Sequence, residues 1–193
     1  VKIRKHIASP ATRNSLQQGF TLIEVMISMV VLSVGLVALL GVMGMAMAAT
    51  QGSQERAVAK QLANEAMEGI LTARETANIP WSSIQNQGNG GIFLSGMQQI
   101  YNAGPDGIID TADDAGSGEQ TLQLPGPDGI FGTADDVFLP LTNYQRQIDI
   151  EPVVVGGAPL GNLRSVTITV QFQTPQFKIP QQYIMSTFIS PYR

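Results

Sequence analysis

The sequence contains no cysteine, one histidine and one tryptophan, and only 13% of its residues are charged. Without cysteine there is no disulfide staple and no thiolate metal site, so a transition metal has no soft ligand here. The single histidine, His6, lies at the very start. Everything downstream therefore lacks an imidazole for acid–base, nucleophilic or metal chemistry. The serines have no basic partner that the sequence identifies. Paired aspartates resemble the carboxylates of hydrolases, but they fall in repeated glycine-rich turns, and enzymatic activity is not expected. Positive charge is scarce and unevenly placed: Lys2, Arg4, Lys5 and Arg13 precede Gly19 with no acid among them. All 15 acids follow Gly19, against the seven other basic residues. No basic groove is available, so a nucleic-acid partner is not expected. The 193 residues suffice for one membrane-associated segment and one small soluble domain.

Charge is also missing from Val25 to Gln54, a mostly apolar stretch. It exceeds the roughly 20 residues needed to cross a hydrocarbon core. The basic residues ahead of it predict a leader left in the cytoplasm and a translocated remainder. Small residues over Gly41–Ala49 imitate a signal-peptidase site, although a cleaved signal would place that site after a shorter apolar region. A plain single-span anchor accounts for the hydrophobicity and the orientation. Neither explanation gives a purpose to Glu24, an acid at the mouth of the run, where a buried carboxylate is costly and usually functional.

The basic leader ending in Gly19, the junction Gly19-Phe20-Thr21-Leu22-Ile23-Glu24 and the apolar run behind it together resemble the precursor of a type IV pilin-like protein. Within that family, Ile23-Glu24-Val25-Met26-Ile27-Ser28 and Leu32-Ser33-Val34-Gly35-Leu36 are most similar to PilV-type minor pilins. The resemblance covers about the first third of the chain. It implies cutting between Gly19 and Phe20 by a prepilin peptidase and N-methylation of Phe20. It also implies assembly on an inner-membrane platform with other pilins or pseudopilins in a helical filament. Glu24 would pair with the terminal amine of a neighbouring subunit. Opposite charges attract strongly at low dielectric, and pairing offsets part of their desolvation. The plainer alternative leaves Glu24 at interface depth, touching water or the amino end of its own helix.

The expected fold is α+β. It pairs a long N-terminal helix, whose front half spans the membrane, with a small C-terminal antiparallel sheet packed on its rear half. Residues 1–19 form the leader and 20–49 the transmembrane and assembly helix. Small residues Gly35, Gly41 and Gly44, with Ser28 and Ser33, permit close helix packing or local melting. Residues 50–79 continue the helix as an amphipathic segment, with Val58, Leu62, Met67, Ile70 and Leu71 recurring among charged residues. Pro80 predicts a stop near Asn78 or Ile79. Residues 80–140, rich in glycine, proline and aspartate, read as a loop-heavy insertion. Residues 141–193 read as the sheet. Strands are expected over Tyr144–Ile150, Arg164–Phe172 and Gln182–Ile189, with turns at Gly156-Gly157 and Gly161-Asn162.

The insertion holds a duplication. Gly104-Pro-Asp-Gly-Ile-Ile-Asp-Thr-Ala-Asp-Asp114 recurs as Gly126-Pro-Asp-Gly-Ile-Phe-Gly-Thr-Ala-Asp-Asp136, differing at two of eleven positions. The first copy gathers Asp106, Asp110, Asp113 and Asp114, and the second Asp128, Asp135 and Asp136. Calcium favours six to eight oxygen ligands in a flexible loop, so Ca²⁺ is the expected cofactor. The copies resemble short calcium-binding repeats of bacterial surface proteins but lack EF-hand spacing, and Gly132 makes the second poorer in ligands. Solvated Asx turns and direct contact with a partner are the competing explanations.

These features point to a minor pilin, inserted in the inner membrane with a periplasmic head and later built into an extracellular pilus. Two alternatives stay open. One is a pseudopilin of a type II secretion system, forming a periplasmic filament. The other is a membrane-tethered, calcium-dependent binding module that does not polymerise.

Overall fold

A computed structural model describes residues 19–77, 79–174 and 179–192. The leader residues Lys2, Arg4, Lys5, His6 and Arg13, and Asn78 at the expected helix end, lie outside these. The chain divides into two compact units, Val1–Ala46 and Met47–Arg193. One helix, α1 (Leu22–Thr76), contributes to both.

Within the first unit, α1 begins where Thr21 caps it. The Glu24 amide donates to Thr21 Oγ1 at 3.3 Å, and the Val25 amide donates to the Thr21 carbonyl at 3.2 Å. The apolar side chains that follow are exposed, Leu22, Val31, Val37 and Met45 among them. This helix is long and apolar enough to cross a membrane. The two polar side chains between Val25 and Ala46 are satisfied locally. Ser28 and Ser33 each donate their hydroxyl to the carbonyl four residues back, at 2.7 Å.

The second unit is built on the rear of α1, where Ala59, Leu62, Ala63, Ala66, Met67, Ile70 and Ala73 make a buried stripe at helical spacing. Four antiparallel strands lie against that stripe in the order β1-β4-β5-β6. These are β1 (Gln98–Gln99), β4 (Tyr144–Val155), β5 (Ala158–Phe172) and β6 (Gln181–Ile189). Alternation decides which side faces the helix: Tyr144, Ile148 and Ile150 on β4, and Val166, Ile168, Val170 and Phe172 on β5, are all buried. Each such residue stabilises the fold by about 1.5–3 kcal/mol through removal of apolar surface from water. The Tyr144 and Phe172 rings stack 5.8 Å apart.

The helix stops at Thr76, slightly before the expected Asn78 or Ile79. Ala77 has turned to φ 54°, and a left-handed residue ends the helical ladder before Pro80 can. Gly156 and Gly157 form the β4–β5 turn with φ 61° and 84°, the signs a tight hairpin needs. Gly161-Asn162 does not turn, contrary to expectation, and lies inside β5. The glycine pair has already reversed the chain, and Gly161-Asn162 falls instead in a bulge of β5, where Val154 pairs with Pro159 but Pro152 with Arg164; the Gly161 carbonyl accepts from Trp81 Nε1 at 2.9 Å.

Residues 80–140 are more ordered than a plain loop. Besides β1, they form a separate two-stranded hairpin, β2 (Thr121–Leu124) with β3 (Val137–Pro140). Asn86 continues the sheet edge where β1 is too short to cover β4. Its Nδ2 donates to the Ile148 carbonyl at 2.6 Å, and its Oδ1 accepts from the Ile150 amide at 2.7 Å. Arg164 holds the start of this region in place. Its guanidinium lies 4.3 Å from the Trp81 ring centroid and donates to the Trp81 and Ile84 carbonyls.

Candidate functional site

The sequence offers two candidate sites, the junction at the head of α1 and the duplicated acidic loops. At the junction, Gly19 and Phe20 are exposed and precede the helix, Thr21 caps it, and Glu24 falls in its first turn. An acid there complements the positive end of the helix dipole. The backbone on either side of the Gly19–Phe20 bond is outside regular structure and open to a protease.

The acidic loops share one internal plan. In the first, Asp106 Oδ1 accepts the Ile108 amide at 2.8 Å, and Asp128 repeats this with Ile130 at 2.8 Å. Thr111 Oγ1 donates to Asp113 Oδ1 at 2.6 Å, and Thr133 does so to Asp135 at 2.7 Å. The Gly107 and Gly129 amides each donate to a carbonyl three residues back at 3.0 Å, and both glycines have positive φ. A side chain on Gly104 would meet Asp113 Oδ2 at 2.2 Å, and one on Gly126 would meet Asp135 Oδ2 at 2.3 Å. Glycine at the entry lets the aspartate fold back across the loop mouth.

The surroundings differ. The first loop is set into the core, with Ile108, Ile109, Asp110, Thr111 and Asp114 buried. Arg146, fully buried on the helix-facing side of β4, donates from Nε to Asp110 Oδ2 at 2.7 Å and from Nη1 to the Leu62 carbonyl at 3.2 Å. Glu65 Oε2 lies 3.9 Å from the same guanidinium. The second loop joins β2 to β3, with Ile130 and Phe131 exposed. There the amide of Gly132 donates to Asp136 Oδ2 at 2.6 Å, and Gln123 Nε2 donates to the same oxygen.

Environment sets the acidity of each carboxyl. Burial raises Asp110, and the Arg146 charge opposes part of that rise. Asp114 is raised by burial, against hydrogen bonds from the Thr111 and Gly104 amides. Asp113 and Asp135 are lowered, first by the threonine hydroxyls that donate to them. For Asp136, burial pushes upward, but hydrogen bonds from Gly132 and Gln123 outweigh it and leave the carboxyl lowered.

Among the described residues, Asp106, Asp113 and Asp114 have carboxylate oxygens within 4.8 Å of one another, close enough to share a cation. Asp110 is held by Arg146 instead, and Asp128, Asp135 and Asp136 do not make such a group. The grouped oxygens already accept loop hydrogen bonds, as Asp114 does from Gly104 at 2.7 Å and from Thr111 at 3.1 Å. The loop therefore has a scaffold of its own, onto which an ion would add further bonds.

Sequence reasoning missed Arg146, although strand alternation put it on the buried side between Tyr144 and Ile148. It also missed Asn86 and Arg164, which no local pattern marks. The chain has no match among curated proteins or solved structures. Residues 14–40 match the prokaryotic N-terminal methylation motif, which supports a type IV pilin-like precursor anchored through α1.

Proposed function

We propose that the chain is a minor pilin, most similar to the PilV type, acting as a structural subunit without catalysis. A prepilin peptidase cuts between Gly19 and Phe20, Phe20 is methylated, and the mature chain enters a helical filament through α1. The observation that carries this reading is the methylation motif over residues 14–40, on a junction exposed just ahead of a capped apolar helix. Glu24, in the first turn of that helix, pairs with the new amine of a neighbour and offsets the cost of entering the bundle. Sheared-filament mass spectrometry tests it: a mature chain beginning with methylated Phe20 is expected in the filament fraction. Recovery only as an uncut membrane protein would defeat the reading. Recovery in a periplasmic filament alongside secretion-channel components would instead make it a pseudopilin.

For calcium, we propose the first loop as the site. Asp106, Asp113 and Asp114 take one Ca²⁺ that holds Gly104–Asp114 closed, a reading supported by their spacing and by oxygen-only chemistry. Titration calorimetry on the full chain in detergent should detect binding at millimolar Ca²⁺ or below, and Asp106→Asn should abolish it. No heat and no thermal shift would exclude it.

A further inference from the structure

Within the second unit, α1 over Gln51–Val58 and the β2–β3 hairpin leave a groove of about 690 Å³ between them. That is the size of a small-molecule site. The hairpin register decides which side chains face it. Leu122 pairs with Leu139 and Leu124 with Val137, so these four share one face of the hairpin. Leu122, Leu124 and Leu139 line the groove, with Ala57 and Val58 on the helix. The apolar face is only partly covered, since Leu124, Val137 and Leu139 keep 38%, 48% and 44% of their surface exposed.

One charge stands in this lining. Glu55 is on the helical wall, and its carboxyl is hydrogen-bonded by Gln51. Its Oε2 is nevertheless buried with no hydrogen-bond partner, and no basic side chain among the described residues forms an ion pair with it. Arg56 and Lys60, the nearest basic residues of the helix, do not line the groove. A carboxylate left uncompensated beside leucine side chains is costly, and an occupant that brings a positive N–H donor on an apolar body relieves that cost. An anionic occupant is opposed by Glu55 and by Asp128, Asp135 and Asp136 at the hairpin end.

Position along the helix names the source of such a molecule. The uncharged stretch of α1 ends at Gln54, so Glu55 is the first charged residue after it. A bilayer crossed by that stretch has its headgroup layer toward this end. Among neutral headgroups, ethanolamine carries an ammonium with three N–H donors, whereas choline has none to offer a carboxylate. We infer that the groove between Gln51–Val58 and the β2–β3 hairpin binds a phosphatidylethanolamine of the bilayer that α1 crosses. Its ammonium sits on Glu55, and the first methylenes of its acyl chains lie against Leu122, Leu124 and Leu139. The inference rests on the reading of α1 as a membrane anchor.

A zero-length crosslink tests it. The full chain is reconstituted in vesicles of equal phosphatidylethanolamine and phosphatidylcholine and treated with a carbodiimide, which joins a carboxylate to a primary amine as an amide. Fragment-ion mass spectrometry then locates the lipid adduct. Ser53 is exposed on the same turn of α1 and does not line the groove, so Ser53→Glu supplies a comparison carboxyl at the same level. The amide at Glu55 should exceed that at position 53 by about ten-fold, because only a held amine is positioned to react. Ala57→Trp, at an exposed position, fills the groove and should bring Glu55 down to the level of position 53, whereas Ala57→Ser leaves the space open and should not. Equal yields at the two positions, or a Glu55 yield that Ala57→Trp does not move, overturn the inference. So does an amide from Glu55 to a protein lysine in membranes of the producing cells, which makes the groove a protein-docking site. Carbonate extraction of the same vesicles scores the anchor separately. A chain that stays in the membrane without the Glu55 amide defeats the lipid site alone, and a chain that is released defeats the anchor reading and the site with it.

Discussion

The two acidic loops are nearly the same peptide in two environments. Nine shared residues give both the same Asx turns, the same threonine-to-aspartate bond and the same glycine at the mouth. What differs is what surrounds them. The first is welded into the core by Arg146 and two buried isoleucines, while the second rides on a hairpin with its isoleucine and phenylalanine in the open. Local sequence builds the loop, and tertiary context decides whether it serves the fold or a surface.

The largest break in that comparison comes from Arg146. Arg146→Met strips the cation from buried Asp110 and should lower stability by about 3–5 kcal/mol in urea unfolding of the detergent-solubilised chain. Adding Asp110→Gly copies the second loop's Gly132 and also relieves the φ of 60° that Asp110 holds, so most of the loss should return. Failure of the double variant to recover would mean that Arg146 works chiefly through Leu62 and the packing around it. A smaller effect separates the entry glycines. Gly104→Ala and Gly126→Ala both drive a Cβ into the folded-back aspartate, and at Gly126 it also meets the Asp135 carbonyl oxygen at 2.4 Å, but only the first lies beside the core. We expect about 1–3 kcal/mol for Gly104→Ala and a smaller loss for Gly126→Ala in the same assay, because an exposed loop can shift to relieve the contact while one set into the core cannot. Equal losses would show the second loop to be as integral as the first.

The smallest effect is electrostatic and appears in acid. Asp114 and Asp136 hold equivalent positions yet shift oppositely from the ordinary 3.8. Asp136, lowered when folded, contributes stability that is present above its unfolded value and lost as pH falls through its folded one. Asp114, raised, opposes folding at neutral pH, and that opposition fades as pH falls through its folded value. Carboxyl-carbon NMR titration should find Asp114 protonating before Asp136 on the way down. The reverse order would sink the assignment of opposite environments.

Much of this was legible beforehand because period and composition carry it. The uncharged run from Val25, the alternation over Arg164–Phe172 and the Gly156-Gly157 turn each state a local rule that the fold obeys. The repeat was legible too, and it marked both loops as alike. What separates them was not, since burial of Asp110 depends on Arg146, which lies 36 residues away in the chain. Glycine and proline between Pro80 and Leu141 masked a short hairpin, because strands of four residues are too brief for a pattern to show. Gly161-Asn162 misled for a different reason: the turn-prone pair makes a bulge within β5, between the Pro159 and Arg164 pairings, instead of reversing the chain.

The hairpin that carries the second loop leaves and re-enters the domain at nearly one point. Thr121 pairs with Pro140, and the amide of Leu141 bonds the Gln120 carbonyl at 3.2 Å. A segment whose two ends already touch imposes little strain on its host when its contents change, because closing a longer loop costs only about 0.6 kcal/mol per doubling of length. The hairpin is thus a socket: peptides of other sequence, grafted between its strands, would be displayed at the same place on every copy of the chain.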